Sequence, residues 1–152
     1  MTNSTKAAKT ARPIWQRPAT LEAIHANHHD TICEHLGIEF VEVGDDYLVA
    51  RMPADRRTHQ PMGIVHGGAS VTLAETLGSV GANLCLAPPQ AAVGLDINAN
   101  HIRSVREGWV TGRAHPVHLG RTTQVWQIEM RDDAGRLTCT SRLTMAVIAR
   151  PA

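Results

Sequence analysis

The sequence predicts an α+β fold in which an antiparallel β-sheet wraps around one long central α-helix. Residues 67–86 form the longest apolar stretch, which is rich in Ala, Leu and Val and is closed by two prolines. Four segments after this stretch have the alternating apolar pattern of strands and are separated by short turn sequences. A buried helix of about five turns among hairpin-linked strands is typical of a sheet curled around a helix.

The N-terminal part of the chain predicts a tail and a leader helix. Residues 1–13 lack apolar periodicity, so we expect a flexible tail followed by a single domain over residues 14–152. Thr20 is suited to cap a helix that runs from Leu21 to Leu36 with apolar residues at helical spacing. Gly37 is expected to end this helix.

Six segments have the composition of strands. The first two flank the turn sequence Gly44-Asp45-Asp46, which predicts a hairpin. The later ones are separated by turn sequences that contain glycine, as expected for further hairpins. The predicted strands are 38–43, 47–52, 93–102, 109–118, 123–132 and 137–148.

Composition excludes several classes of function. Fifteen basic residues against 14 acidic ones give a formal net charge of +1, so no broad field attracts nucleic acid or an anionic membrane. The three cysteines are far apart and outside any Cys-x-x-Cys spacing, which argues against a disulfide framework or a zinc ribbon. With no apolar leader segment, the protein is expected to be cytoplasmic.

Glu75 is the least expected residue of the central helix, because its neighbours are mostly apolar. A buried carboxylate without a partner is costly, so it must be paired, protonated or used in chemistry. Glu75 is therefore a candidate catalytic base or nucleophile, and a glutamate on a solvated helix face is the alternative. Ser79 lies four residues further on and could orient the carboxylate or a water molecule.

The segment from Gln60 to Gly68 leads into the same helix. A helix N-terminus presents unpaired N–H groups and partial positive charge, which suit a carbonyl oxygen that becomes an oxyanion. Gly67 N–H is the candidate donor, and glycine allows close approach of a substrate. His66 and Gln60 are candidate positioning or polarising groups.

The spacing of these groups requires a second copy of the chain. Gly67 and Glu75 are eight residues apart, a rise of about 12 Å along a helix, so both cannot reach one carbonyl. If both are catalytic, Glu75 of one copy must face Gly67 of another across a two-fold interface. We expect Gly78 and Gly81 to lie where another backbone approaches the helix.

Cations and hydroxyls near two strand ends could bind phosphate groups. Solvated charges at strand ends are the alternative for each residue taken singly. The candidate residues are His101, Ile102, Arg103, Ser104, His118, Leu119, Gly120, Arg121, Thr122 and Thr123.

Two other kinds of site are not expected. Four histidines between residues 25 and 35 have helical spacing, but no carboxylate-histidine signature accompanies them, so we predict no metal. Ser70 lacks the Gly-x-Ser-x-Gly elbow of serine hydrolases.

The run Gln60-Pro61-x-Gly63-x-x-His66-Gly67-Gly68-Ala69-Ser70-x-x-x-Ala74-Glu75 resembles the helix motif of hotdog-fold thioesterases of the 4-hydroxybenzoyl-CoA and phenylacetyl-CoA thioesterase group. The similarity continues through residues 94–104, 118–120, 125–128 and 141–144. It is strongest to the bacterial branch that contains the 1,4-dihydroxy-2-naphthoyl-CoA thioesterases of menaquinone synthesis and the siderophore-proofreading thioesterases.

This resemblance implies a hotdog fold and a hydrolase without metal or cofactor, acting on an aromatic or medium-chain acyl-CoA. Glu75 would attack the thioester or activate water, and Gly67 N–H would bind the oxyanion. His66 and Gln60 would lie near the thioester, with Ser79 beside Glu75 on the facing subunit. Gly94 and the strand-end residues above would contact the CoA portion of the substrate. The resemblance further implies a homodimer at minimum and, as is common in the family, a homotetramer.

Two alternatives from other classes remain at this point. A hotdog module could bind acyl-CoA without hydrolysing it, although such a module is expected to lack the carboxylate that Glu75 supplies. An acyl-carrier-protein thioesterase or a hotdog dehydratase is the other alternative, and the arrangement of His66, Gly67 and Glu75 favours the thioesterase pattern over the dehydratase.

Overall fold

The computed structural model describes residues 12–149, so all of the predicted tail except Arg12 and Pro13 lies outside the described part. Six antiparallel strands form one sheet against a single long helix, which confirms the predicted architecture. The strands lie in the order β1-β2-β4-β5-β6-β3. In chain order the elements are α1 (Leu21–His25), α2 (Ile32–Leu36), β1 (Glu39–Val43), β2 (Leu48–Pro53), α3 (Gly67–Leu84), β3 (Gln90–His101), β4 (Trp109–Leu119), β5 (Thr123–Arg131) and β6 (Leu137–Ala149).

The prediction of one leader helix was wrong, because α1 and α2 are separate. Both predicted ends are confirmed: Thr20 caps α1 by accepting from Ala23 N–H, and Gly37 ends α2 with a left-handed φ of 68°. Between the helices, Asp30 has a φ of 57°, which breaks the helical path. Thr31 is then the N-cap of the second helix, α2.

Helix α3 buries its apolar face in the concave side of the sheet. Leu73, Ala74 and Leu77 have no exposed surface. A Cβ atom on Gly81 would lie 2.7 Å from the ring of buried Trp126, and one on Gly78 would meet Leu143. The expectation that another backbone approaches these glycines was therefore wrong, since side chains of the same sheet fill that space.

Strand β3 is one edge of the sheet and has unusual exposure. It spans 12 residues, and its side chains Val93 and Leu95 are 45% and 62% exposed. A bulge lies between Gly94 and Asp96. A long, exposed apolar edge strand offers unpaired backbone groups to another chain.

No helix within residues 12–149 has the length and apolar character needed to cross a membrane.

Candidate active site

Among the first four N–H groups of α3, one has no hydrogen-bond acceptor within residues 12–149. His66 is the N-cap, and its Nδ1 accepts from Gly68 N–H at 2.8 Å. The N–H groups of Ala69 and Ser70 donate to the backbone oxygen of His66. Gly67 N–H has no hydrogen-bond acceptor in the described part of the chain. The local geometry thus leaves the predicted oxyanion donor as the one unpaired donor at this helix end.

A cavity of about 280 Å³ opens beside Gly67, and we call it the helix-start cavity. It brings together six of the predicted site residues, namely Gln60, Gly67, His101, Ile102, Arg103 and Ser104. The His101 ring lies over Gly67, where a Cβ atom would come within 2.8 Å of Nε2. Thr138 also lines this cavity, and its buried Oγ1 has no partner among the described residues.

Glu75 lies two turns further along α3, half-buried beneath β3. Within residues 12–149 its carboxylate makes no hydrogen bond and no ion pair, which leaves it free for chemistry. The carboxylate Oε1 occupies the place where Gly94 would carry a Cβ atom. Gly94 therefore contacts Glu75 and is separate from the helix-start cavity.

Ser79 faces a second cavity, of about 410 Å³, between α1 and the C-terminal half of α3. We call it the α1–α3 cavity. The Ser79 hydroxyl lies 3.9 Å from Met145 Sδ, and no bond to Glu75 is formed. Arg17 also lines this cavity and donates to the Leu86 carbonyl at 2.7 Å.

His28 lines the α1–α3 cavity and stacks on Phe40. Its Nδ1 is buried and has no partner in the part of the chain that the structure describes. Desolvation by burial, and then the nearby His25, lower the pKa of His28, so the ring is neutral at pH 7. Each of the two cavities thus has one lining residue with a buried polar atom that lacks a hydrogen-bond partner among the described residues.

The two predicted phosphate-binding segments lie at opposite ends of the sheet. Thr123 and Val93 both pair with Ala146 of β6, so the β4–β5 hairpin is level with the start of β3. His101 lies eight residues further along β3, a distance of about 26 Å along a strand. In one chain, therefore, residues 101–104 and 118–123 do not form one site.

The histidines of the leader segment do not gather into a metal site. His25 Nε2 contacts the Phe40 carbonyl at 3.0 Å, and His29 points towards Glu34. Over residues 12–149 there is no group of three His, Cys, Asp or Glu side chains that could hold a metal ion.

The sequence interpretation did not identify two cavity residues, His28 and Thr138, as site residues. His28 was considered only as one of the four histidines of the leader segment, and Thr138 belongs to no motif. Their unpaired atoms become visible only when distant segments pack together. The local signal for His28 was its helical spacing from Ile24 and Ile32. Thr138 had no such signal, because it is out of phase with the buried positions Cys139 and Ser141 of β6.

Comparisons with known proteins find relatives among the thioesterases. The thioesterase superfamily profile matches residues 62–139. The 1,4-dihydroxy-2-naphthoyl-CoA hydrolase of Escherichia coli is 55% identical over 135 residues, which cover 89% of this chain and 99% of that protein. The proofreading thioesterase EntH of Cronobacter turicensis is 53% identical, with 89% and 98% covered.

Solved structures show the same fold. A thioesterase from Haemophilus influenzae superposes with a TM-score of 0.88 at 51% identity, covering 90% of this chain and 95% of that one. Two single-alanine variants of a Staphylococcus aureus protein superpose with TM-scores of 0.75 and 0.74, at 35% and 34% identity. They cover 77% and 79% of this chain and 98% of theirs. The replaced residues are a glutamate and, fifteen positions before it, a glutamine.

Proposed function

The chain belongs to the thioesterase superfamily, has its hotdog fold and is a thioester hydrolase, and from this premise we propose that it cleaves an aromatic or medium-chain acyl-CoA in composite sites between two copies. As general base, Glu75 takes a proton from a water molecule that adds to the thioester carbonyl; as nucleophile, it adds to that carbonyl itself and forms an acyl-enzyme anhydride, which water then hydrolyses. In either route the C–S bond breaks, the sulfur leaves with a proton as the CoA thiol, and the acyl group leaves as the free acid. Gly67 N–H of the other copy stabilises the oxyanion.

Two contacts with β3 carry this proposal. Glu75 lies under Gly94, and Gly67 lies under His101, seven residues further along the same strand. If two copies pair their β3 edges antiparallel about a two-fold axis between Ile97 and Asn98, each Gly94 lies opposite the other copy's His101. That register places Glu75 of one copy next to Gly67 of the other. The exposed apolar edge supports such pairing.

The same pairing would unite the two segments that lie apart in one chain. The start of β3, which is level with Thr123, would lie beside the end of β3 of the second copy. Residues 118–123 of one copy would thus approach residues 101–104 of the other, with several hydroxyl and cationic groups for the CoA portion. A homodimer is therefore the smallest active unit, and a tetramer would be built from two such dimers.

The α1–α3 cavity is suited to the acyl group. Ser79 on its wall is one helical turn from Glu75, and about 410 Å³ is within the range of small-molecule sites. Ile24, Val80 and Leu84 supply apolar wall. An aromatic ring or a medium-length chain would fill this space next to the reacting carboxylate.

The Staphylococcus aureus relative supports a joint role of Gln60 and Glu75 in the reaction. Its alanine variants remove a glutamine and a glutamate that are fifteen positions apart. Gln60 and Glu75 have the same separation in this chain. We propose that Gln60 polarises the thioester at the helix-start cavity while Glu75 of the other copy reacts.

A panel of CoA esters, followed by release of thiol, tests the activity itself. The native protein should release CoA from aroyl or medium-chain esters, and Glu75→Gln should reduce kcat at least a thousandfold without changing the thermal midpoint. Tight binding without thiol release would instead indicate a non-catalytic acyl-CoA-binding module. Release only from acyl-carrier-protein esters would identify a different carrier, and hydration of an enoyl ester a dehydratase.

Subunit complementation tests the composite site. Glu75→Gln and Gly67→Pro proteins should each be inactive, since proline at the first helical position removes the N–H but is compatible with the helix. Gly67→Ala is the matched control, because it adds the Cβ atom and keeps the donor. Unfolding and refolding an equal mixture should restore about a quarter of wild-type activity, because half of the dimers then have one intact site. No recovery in proven heterodimers would refute sites shared between copies.

A further inference from the structure

Gly94 lies in the interior of a strand, where glycine weakens a sheet and usually marks a bulge or a close approach. Here both are present. The bulge follows at Leu95, and the missing side chain leaves the space that Glu75 Oε1 occupies. A Cβ atom would overlap this oxygen and would also lie 4.0 Å from Leu143 Cδ1. Gly94 therefore faces the inner side of the sheet, towards α3.

We propose that Gly94 is a positioning residue for the reaction: its lack of a side chain determines where the Glu75 carboxylate lies. This inference rests on the proposed function, in which Glu75 is the reacting group. The resemblance to known thioesterases implied only a contact with CoA for Gly94. The structure adds a second role, exerted through Glu75.

Substitution of a glycine with this role should affect kcat, whereas substitution of a glycine that only permits close packing should affect stability. Oε1 is the far end of a flexible side chain that forms no hydrogen bond within the described residues, so it can move away from an added methyl group at little cost in stability. The move needed to reach ordinary van der Waals contact is about 1 Å, and a misplacement of that size costs about a hundredfold in rate. Gly94→Ala should therefore lower kcat without lowering the stability of the protein.

Gly112 provides the matched control. It is the fourth residue of β4, and a Cβ atom there would come within 2.7 Å of Leu77 Cδ1, in the core. Leu77 has no role in the proposed chemistry. Gly112→Ala should lower stability with kcat unchanged, whereas Gly94→Ala should lower kcat with stability unchanged.

A double-mutant cycle tests the mechanism of the effect. In the wild-type background, Gly94→Ala should lower kcat about a hundredfold, with a change in KM of less than about threefold. In the Glu75→Asp background, where the shorter carboxylate is withdrawn from β3, the same change should cost less than about threefold. Gel filtration of each variant shows whether the β3 edge still pairs.

Three outcomes decide the proposal. Equal losses of kcat in both backgrounds, or a loss that follows dissociation of the dimer, would overturn it. An unchanged kcat in Gly94→Ala would overturn it as well, while leaving the thioesterase function intact. Full activity of Glu75→Gln would refute the proposed function itself, and this result is independent of any Gly94 variant.

Discussion

His66 has two separable tasks, and two substitutions can divide them. Its Nδ1 caps α3 by accepting from Gly68 N–H at 2.8 Å, and its exposed ring stands next to the free N–H of Gly67. His66→Ala removes both the cap and the imidazole. His66→Asn removes the imidazole only, because asparagine is among the best N-cap residues.

The expected size of the stability effect follows from the cap. Loss of one N-cap hydrogen bond at an exposed helix end costs about 1 kcal/mol. For a chain of 152 residues, this corresponds to a lowering of Tm by about 2–4 °C in His66→Ala. His66→Asn should stay within about 1 °C of wild type. Both variants should lose at least tenfold in kcat/KM, since neither has a ring at the thioester.

Thermal unfolding measures the effect on stability, and thiol-release kinetics measure the effect on kcat/KM. The protein concentration is kept fixed because the Tm of a dimer depends on concentration. If His66→Asn unfolds as early as His66→Ala, the capping interpretation is wrong. If His66→Asn regains wild-type kcat/KM together with its Tm, His66 acts only as a cap.

Two further predictions concern packing and thiols. Gly81→Ala should lower the free energy of unfolding by about 1–3 kcal/mol in urea titrations, because the new methyl group meets the buried Trp126 ring and outweighs the better helix propensity of alanine. An equal or higher midpoint would contradict this packing. In the native protein at pH 7, a thiol reagent should leave the cysteines largely unreacted, since Cys33 and Cys139 are buried and burial raises the pKa of Cys85 to about 12. Because the unfolded thiol ionises near pH 9, this group's contribution to stability is complete below pH 9 and is lost as pH rises towards 12. Cys85→Ala should therefore reduce the alkaline loss of stability, and an identical alkaline profile would count against the buried thiol.

The sequence alone predicted the elements whose signals are local. The apolar repeat of α3, the turn residues between strands and the end signals at Thr20 and Gly37 all act within a few residues. The candidate carboxylate was recognised in the same way, as a charged residue in an apolar helix. If Gly67 and Glu75 both act on one thioester, the helical rise between them predicts a second copy of the chain.

Tertiary structure alone decided which distant residues meet. Asp30 takes a left-handed conformation that divides the leader helix, against the continuous helical spacing of its neighbours. His101 covers Gly67, and Gly94 makes room for Glu75, because the course of β3 and its bulge place these strand residues over α3. Local propensity extends over one or two turns, whereas such contacts depend on how the edge strand lies across the helix, which is set by packing of the whole core.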